Sequence, residues 1–148
     1  MKLPFATTPK LTLSVKTHQG VELINITDQV QIAITDGGID SGLCMVYVPH
    51  TTAAVTINES ADPDVARDIV MALDRLVPAD LPFRHREGNS NAHVKSSLIG
   101  ASELVAVRKG RLVLGTWQGL FFCEFDGPRT RRCHISLLTA GPDKELPA

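Results

Sequence analysis

GLCMVYVPHTTAAVTINES, residues 42–60, contains two runs rich in β-formers, GLCMVYVPH (42–50) and AAVTINE (53–59), with only a few residues between them. Aliphatic β-branched and aromatic side chains suit a pleated, half-buried surface. The two runs are therefore either a hairpin or one bent strand. Polar residues gather at their ends: His50, Thr51 and Thr52 follow VYV, while Asn58 and Glu59 close the second run. A strand end is a rigid support, and loops carried on such supports host function more often than the elements themselves.

Outward from this stretch the pattern stays mostly β. KLTLSVKT (10–17) and VELINIT (21–27) alternate apolar and polar residues around His18, Gln19 and Gly20, which predicts an opening hairpin. Thr27 is placed to cap a short helix whose Val30, Ala33 and Ile34 share a face, with Gly37 and Gly38 ending it. Asp62 followed by Pro63 is a favoured helix start, and Val65, Ile69, Ala72, Leu73 and Leu76 then repeat at helical spacing as far as Pro78. Periodicity vanishes from Ala79 to Asn91, the signature of a functional or mobile loop. HVKSSLIG (93–100) makes about two helical turns.

The remaining stretch, ELVAVRKGRLVLGTW, predicts a hairpin at Lys109-Gly110, and GLFFCEFDG and RRCHISLLT predict two more strands around Gly127-Pro128, completing a β-meander. Seven or eight strands, two main helices and no βαβ rhythm predict a single α+β domain over residues 1–148. Helices would cover one face of a mostly antiparallel sheet that curls towards a sandwich or barrel.

Bulk composition removes several function classes. The chain has 148 residues, 43% hydrophobic and 21% charged, with a formal net charge of −1. No global field attracts nucleic acid or an anionic membrane. The apolar runs are far shorter than the ~20 residues a bilayer requires, and MKLPFATTPK lacks the apolar core of a signal peptide, so a cytoplasmic location is expected. Cys44, Cys123 and Cys133 sit in apolar alternating stretches without a C-x-x-C pair, and are read as structural thiols. No phosphate-binding glycine loop, dinucleotide fingerprint, H-E-x-x-H or G-x-S-x-G is present.

The candidate chemistry centres on HREGNSNAHVKSSLIG, residues 85–100. His50, His85 and His93 together can offer three neutral imidazoles to a divalent ion and leave a position open, as catalytic zinc sites do. The alternative is three unrelated solvated or core histidines, since their spacing is not that of a helical pair. His93 opens a predicted helix whose first turn holds Lys95, Ser96 and Ser97, a setting that favours an anion. His18 and His134 read as structural. Trp117 is either a core residue or a stacking platform. Glu124 is a candidate acid, base or metal ligand, and Arg129 and Arg131 are either solvated or a bidentate phosphate clamp.

GLCMVYVPHTTAAVTINES, HREGNSNAHVKSSLIG and GRLVLGTWQGLFFCEFDGPRTRR together resemble the YjbQ-like family, also called secondary thiamine-phosphate synthase enzymes, over about Leu11 to Leu138. HTTAAVTINE and LGTWQG, in this order, are its specific motifs; EFDGPRTR is the stretch where the resemblance guides least. It implies a compact α+β homotrimer with a polar pocket near subunit boundaries. It also implies His50, His85 and His93 as metal-ligating or catalytic, and puts Asn58, Glu59, Lys95, Trp117 and Gln118 on motif positions.

On that footing His50, His85 and His93 are expected to hold a divalent metal, and Glu59, Lys95 and Glu124 to act in catalysis. Thr51, Thr52, Asn58, Ser96, Trp117, Gln118, Arg129 and Arg131 are expected to bind substrate or phosphate. The family name implies joining a pyrimidine diphosphate to a thiazole phosphate, giving thiamine phosphate and pyrophosphate. Imidazole ligands suit zinc first, then nickel or iron, better than the magnesium usual in pyrophosphate chemistry. A binding protein that holds a metal or a small phosphorylated metabolite without converting it would use the same residues.

Overall fold

The computed structural model describes residues 11–139; the segment MKLPFATTPK lies outside them. In chain order it contains β1 (Leu11–Lys16), β2 (Glu22–Asn25), α1 (Thr27–Asp36), β3 (Gly42–Tyr47), β4 (Ala53–Glu59), α2 (Pro63–Leu76), α3 (Ser90–Ile99), β5 (Ser102–Arg108), β6 (Arg111–Leu112), β7 (Gln118–Glu124) and β8 (Thr130–Thr139). All strand pairs are antiparallel. One sheet has the order β1-β8-β3-β5-β6 and the other β2-β7-β4. The architecture is the expected α+β class, with three helices rather than two main ones.

Three successive strand pairs change sheet at a corner. β1 leads to β2, β3 to β4 and β7 to β8, each passing from one sheet to the other. Residues 42–60 are therefore the bent-strand alternative. Two expectations are overturned: β1 and β2 do not form a hairpin, and β7 and β8 do not continue a meander, because their partners are β8 and β7 across different sheets. Turn-forming residues mark a change of direction, but only partner choice decides whether the chain folds back in one sheet or crosses to another.

The corners are tied to one another. Thr17 N–H donates to Arg129 O at 2.9 Å, Gly127 N–H to Gly20 O at 3.0 Å, and Phe125 N–H to Thr52 O at 3.1 Å. A Cβ on Gly127 would lie 2.4 Å from Gln19 O and 2.8 Å from Glu124 Cγ, so the crossing has room only for glycine there. The Lys109-Gly110 hairpin is as expected. Both residues have positive φ, 51° and 69°, as a two-residue turn matched to strand twist requires.

The core fills the space between the sheets. Val46, Val55, Val105, Phe122, Cys133 and Ile135 interlock with the buried α1 face of Val30, Ala33 and Ile34. Thr27 is the first residue of α1 rather than its cap; its hydroxyl donates to Asn25 Oδ1 at 2.6 Å and accepts from Leu120 N–H at 2.9 Å, anchoring the helix to β7. All three cysteines are free and buried, and burial pushes each thiol up to about 12, as structural thiols require.

α2 starts as expected, with Asp62 accepting from Asp64 N–H at 2.9 Å and Pro63 in the first turn. Its apolar face is less covered than the periodicity indicated. Leu73 is buried, whereas Leu76 is 68% exposed. Among the described residues no helix is long and apolar enough to cross a membrane.

Candidate functional site

The corner end of the sandwich holds most of the chemistry-bearing side chains, and they divide into a buried group and an open one. Glu124 ends β7 and Arg131 lies in β8, both turned into the corner. Arg131 donates Nε to Glu124 Oε2 at 2.7 Å and Nη2 to Oε1 at 2.6 Å, and Nη2 also reaches Thr52 Oγ1 at 2.8 Å. Glu124 further accepts from Thr17 Oγ1 at 3.1 Å and from the N–H groups of Phe125 and Asp126 at 3.0 and 2.9 Å. Burial alone would raise this carboxyl. The Arg131 hydrogen bonds, the Asp126 amide, the Arg131 charge and the Thr17 hydroxyl outweigh it and hold Glu124 below the ordinary range. Glu124, Arg131 and Thr52 are thus spent on one another and on the corner.

Lys95 and Ser96 need a correction. α3 begins at Ser90 behind Asn89, three residues earlier than the apolar pattern indicated, so neither residue stands at the helix entrance. Lys95 is 1% exposed and pairs with Asp74 of α2, and Ser96 Oγ donates to Ala53 O at 2.7 Å. Both fasten α3 to its neighbours and face no open anion site. Asn89 stands at the N-cap position but its side chain makes no capping hydrogen bond and reaches Asp126 instead, so no capping signal marks this entrance.

The open group is the loop before α3. The rings of His85 and His93 meet edge-on with centroids 5.4 Å apart. Asn89, between them in sequence, donates Nδ2 to Asp126 Oδ2 at 3.0 Å, and Asp126 in turn accepts from Arg129 Nη2 at 2.7 Å. Arg129 Nε also donates to Asp126 O at 2.7 Å, so this arginine braces the corner while staying half exposed. Asn89 Oδ1 is buried and has no partner among the described residues. Sequence reasoning missed Thr17, Asp74, Asn89 and Asp126. Thr17, Asn89 and Asp126 are short polar residues outside the regular periodicity, Asp74 is one of three aspartates within α2, and only their tertiary contacts distinguish them.

His50 follows β3, and its Nε2 accepts from Arg132 N–H at 2.9 Å. Burial, then the Arg131 and Arg132 charges, lower its pKa, with Glu124 and the Arg132 amide opposing, so the ring is neutral at pH 7. A neutral imidazole accepting at Nε2 carries its proton on Nδ1. Its free edge is a donor. Among the described residues no group of three or more His, Cys, Asp or Glu side chains is arranged to hold a metal ion. One chain brings His85 and His93 together and leaves His50 on Arg132.

Asn58, Glu59, Trp117 and Gln118 form a second cluster at the other end of β4. In the β4–β7 register Glu59 faces Gln118 and Asn58 faces Gly119, while Ser60 N–H donates to Trp117 O at 2.8 Å. Asn58 Oδ1 accepts from Glu59 N–H at 2.8 Å, and Gln118 Oε1 accepts from Gly115 N–H at 2.8 Å. Trp117 is 64% exposed and is not a core residue. Thr51 is exposed between β3 and β4. His18 is exposed in the β1–β2 corner, and His134 Nδ1 lies 3.0 Å from Thr12 Oγ1 while its ring stacks on Tyr47.

A cavity of about 760 Å³ lies elsewhere. It runs between α2 and strands β2 and β7, with Leu23, Ala66, Val70, Met71 and Phe121 along its walls, and none of the expected site residues lines it.

Known proteins share this fold and sequence. Residues 11–140 match the family described as UPF0047 protein YjbQ-like. The chain is 52% identical over 128 residues to the UPF0047 protein YugU of Bacillus subtilis, covering 86% of this chain and 97% of that one. A UPF0047 protein of Methanocaldococcus jannaschii is 48% identical over 124 residues, with 84% and 90% covered. Among solved structures, a YjbQ/UPF0047 family protein of Clostridium acetobutylicum superposes with a TM-score of 0.84 at 46% identity, covering 86% of this chain and 98% of that one. A YbjQ-like protein of Sulfolobus solfataricus gives 0.87 at 32% identity, covering 92% and 99%. With nearly the whole described chain matched in both sequence and fold, this protein belongs to the UPF0047 YjbQ-like family.

Proposed function

We propose that this chain is the subunit of a cytoplasmic homotrimeric enzyme that acts on a small phosphorylated molecule with the help of a divalent metal. Thiamine phosphate formation from a pyrimidine diphosphate and a thiazole phosphate is the first reaction to test. The observation that carries this reading is the His85–His93 pair. Two imidazoles on one tetrahedral zinc at about 2.0–2.1 Å would hold their ring centroids about 5 Å apart, and the pair stands at 5.4 Å. His85 Nε2 also lies 3.7 Å from Glu87 Oε2, so a carboxylate stands beside the pair.

A divalent ion there would supply charge to a phosphate oxygen. The chain's own residues do the rest. Asn89, Asp126 and Arg129 hold the loop against the corner, and the Nδ1–H of neutral His50 offers a donor to an anionic oxygen. Self-association is supported by the outer face of β3 and β5, where Leu43, Met45, Tyr47 and Leu104 are exposed; a soluble monomer rarely leaves such a patch uncovered.

Elemental analysis of purified protein tests the metal, with zinc expected to be lost in His85→Ala and His93→Ala. Incubation with the two thiamine precursors and zinc, nickel, iron or magnesium tests the reaction; absence of thiamine phosphate with every metal rejects that substrate pair. A second reading, a binding protein without turnover, is favoured by one observation. Glu124 and Lys95, two of the three expected catalytic groups, are already paired within the chain. Calorimetric binding of a phosphorylated ligand that is recovered unchanged would select it.

A further inference from the structure

α2 meets its sheet along one line of side chains. Ile69 and Leu73 pack with Cys123 and Phe125 in a second, smaller core on the face of the β2-β7-β4 sheet opposite Phe122. The neighbouring stripe of the helix, Ala66, Val70 and Met71, stands over Leu23 and Phe121 and leaves a space between them. β2 is the edge strand of that sheet, so no further strand fills it. The resulting cavity of about 760 Å³ falls within the roughly 300–1,000 Å³ of small-molecule sites. It follows α2 from Pro63 to Arg75, about 18 Å at the rise of an α-helix.

The middle of this slot is apolar, and the charged groups at its two ends are not equally free. Glu22 accepts from the N–H groups of His18 and Gln19, Asp62 caps α2, and Asp74 holds Lys95. Arg67 pairs with Asp64. Arg75 alone among the charged lining residues takes part in no hydrogen bond or ion pair among the described residues. One uncommitted cation at the end of an apolar slot is complementary to one anionic group on an apolar body.

We propose that this cavity binds a monocarboxylate with a medium-length apolar chain, its carboxylate on Arg75 and its chain along Leu23, Val70, Met71 and Phe121. A planar guanidinium matches a carboxylate in two parallel hydrogen bonds. Glu22 and Asp74 stand in the same lining and repel a phosphate dianion more strongly than a single negative charge. Met71, unbranched and 44% exposed, adapts its side chain to the one that enters. The assignment is independent of the histidine loop, because His85 and His93 do not line the cavity.

The methionine methyl groups give the test. The chain has three methionines, Met1, Met45 and Met71, and Met45 lies exposed on the outer face of β3, away from the cavity. In the isotope-labelled full-length protein, decanoate should shift the Met71 methyl resonance saturably and leave Met45 unmoved. Arg75→Gln should weaken decanoate about tenfold, the loss of a charge-assisted hydrogen bond, and leave the weaker binding of uncharged decanol unchanged. Arg75→Lys should recover part of the decanoate affinity.

A Met71 resonance unmoved by decanoate overturns the proposal. Equal shifts at Met45 mean adsorption of the chain to any exposed apolar face and overturn it as well. So does decyl phosphate binding as tightly as decanoate, or an equal effect of Arg75→Gln on decanol. A Met71 resonance that ignores decanoate but moves with protein concentration assigns the cavity to a second copy of the chain instead.

Discussion

Glu124 with Arg131 inside the corner and His85 with His93 outside it lie near the same end of the sandwich, yet they differ in how far their neighbours satisfy them. Glu124 accepts five hydrogen bonds from Thr17, Arg131, Phe125 and Asp126. The histidine rings meet each other edge-on, and beyond that His85 Nε2 has the exposed Glu87 carboxylate 3.7 Å away. Both groups draw attention in the sequence as chemistry-bearing residues. The difference teaches that a charged pair saturated within its own chain serves the fold, whereas a polar group left open is the one that can serve a ligand.

Breaking the saturated side should have the largest effect. Arg131→Ala leaves Glu124 buried without its cation and should cost about 3–5 kcal/mol in chemical denaturation. The pH dependence should change sign as well. In the native protein Glu124 is held below its unfolded value of about 4.3, so its contribution is present above that pH and is lost as pH falls through the lower folded value. Without Arg131, burial raises the carboxyl, and acidification from neutral pH should stabilise the variant. Parallel denaturation curves from pH 7 to pH 4 check this.

Thr52→Val is the next step down. It removes the hydroxyl that accepts from Arg131 Nη2, and should cost about 1 kcal/mol while leaving the ion pair in place. A loss as large as that of Arg131→Ala would mean that the pair depends on this third partner.

On the open side the expected stability effect is small and the functional effect large. His93→Ala and His85→Ala should each change stability by less than about 1 kcal/mol, while zinc retention falls to background. A loss of several kcal/mol in either variant would turn the pair into a structural contact and remove the contrast. The smallest effect is expected of the thiols. Cys44, Cys123 and Cys133, with burial holding all three at about 12, should not react with a thiol reagent at pH 8 in native protein and should all react on unfolding.

Much of the fold was legible because it rests on local physics. The alternation of β-formers, the Asp62-Pro63 helix start and the Lys109-Gly110 turn each depend on residues within a few positions, and each stands where expected. The crossings at 17–21 and 125–129 were not legible, since Gly20 and Gly127 signal a change of direction without naming the partner strand. The site followed the same division. Of the three histidines grouped in the sequence, His85 and His93 adjoin while His50 stands apart on Arg132, and Lys95 was misplaced because α3 begins three residues earlier, at Ser90, behind a loop that docks on Asp126 through Asn89.

By itself the sequence determined the class of fold, the set of polar residues able to do chemistry and the family to which they belong, since composition, short-range patterning and motifs carry that information. Only the tertiary structure decided which of those residues are free. Arg131 and Glu124 are seven positions apart and Lys95 and Asp74 twenty-one, and their pairing depends on how sheets and helices pack. Whether a charge is spent on the fold or left for a ligand is settled by desolvation and by the partners that packing brings within hydrogen-bond reach.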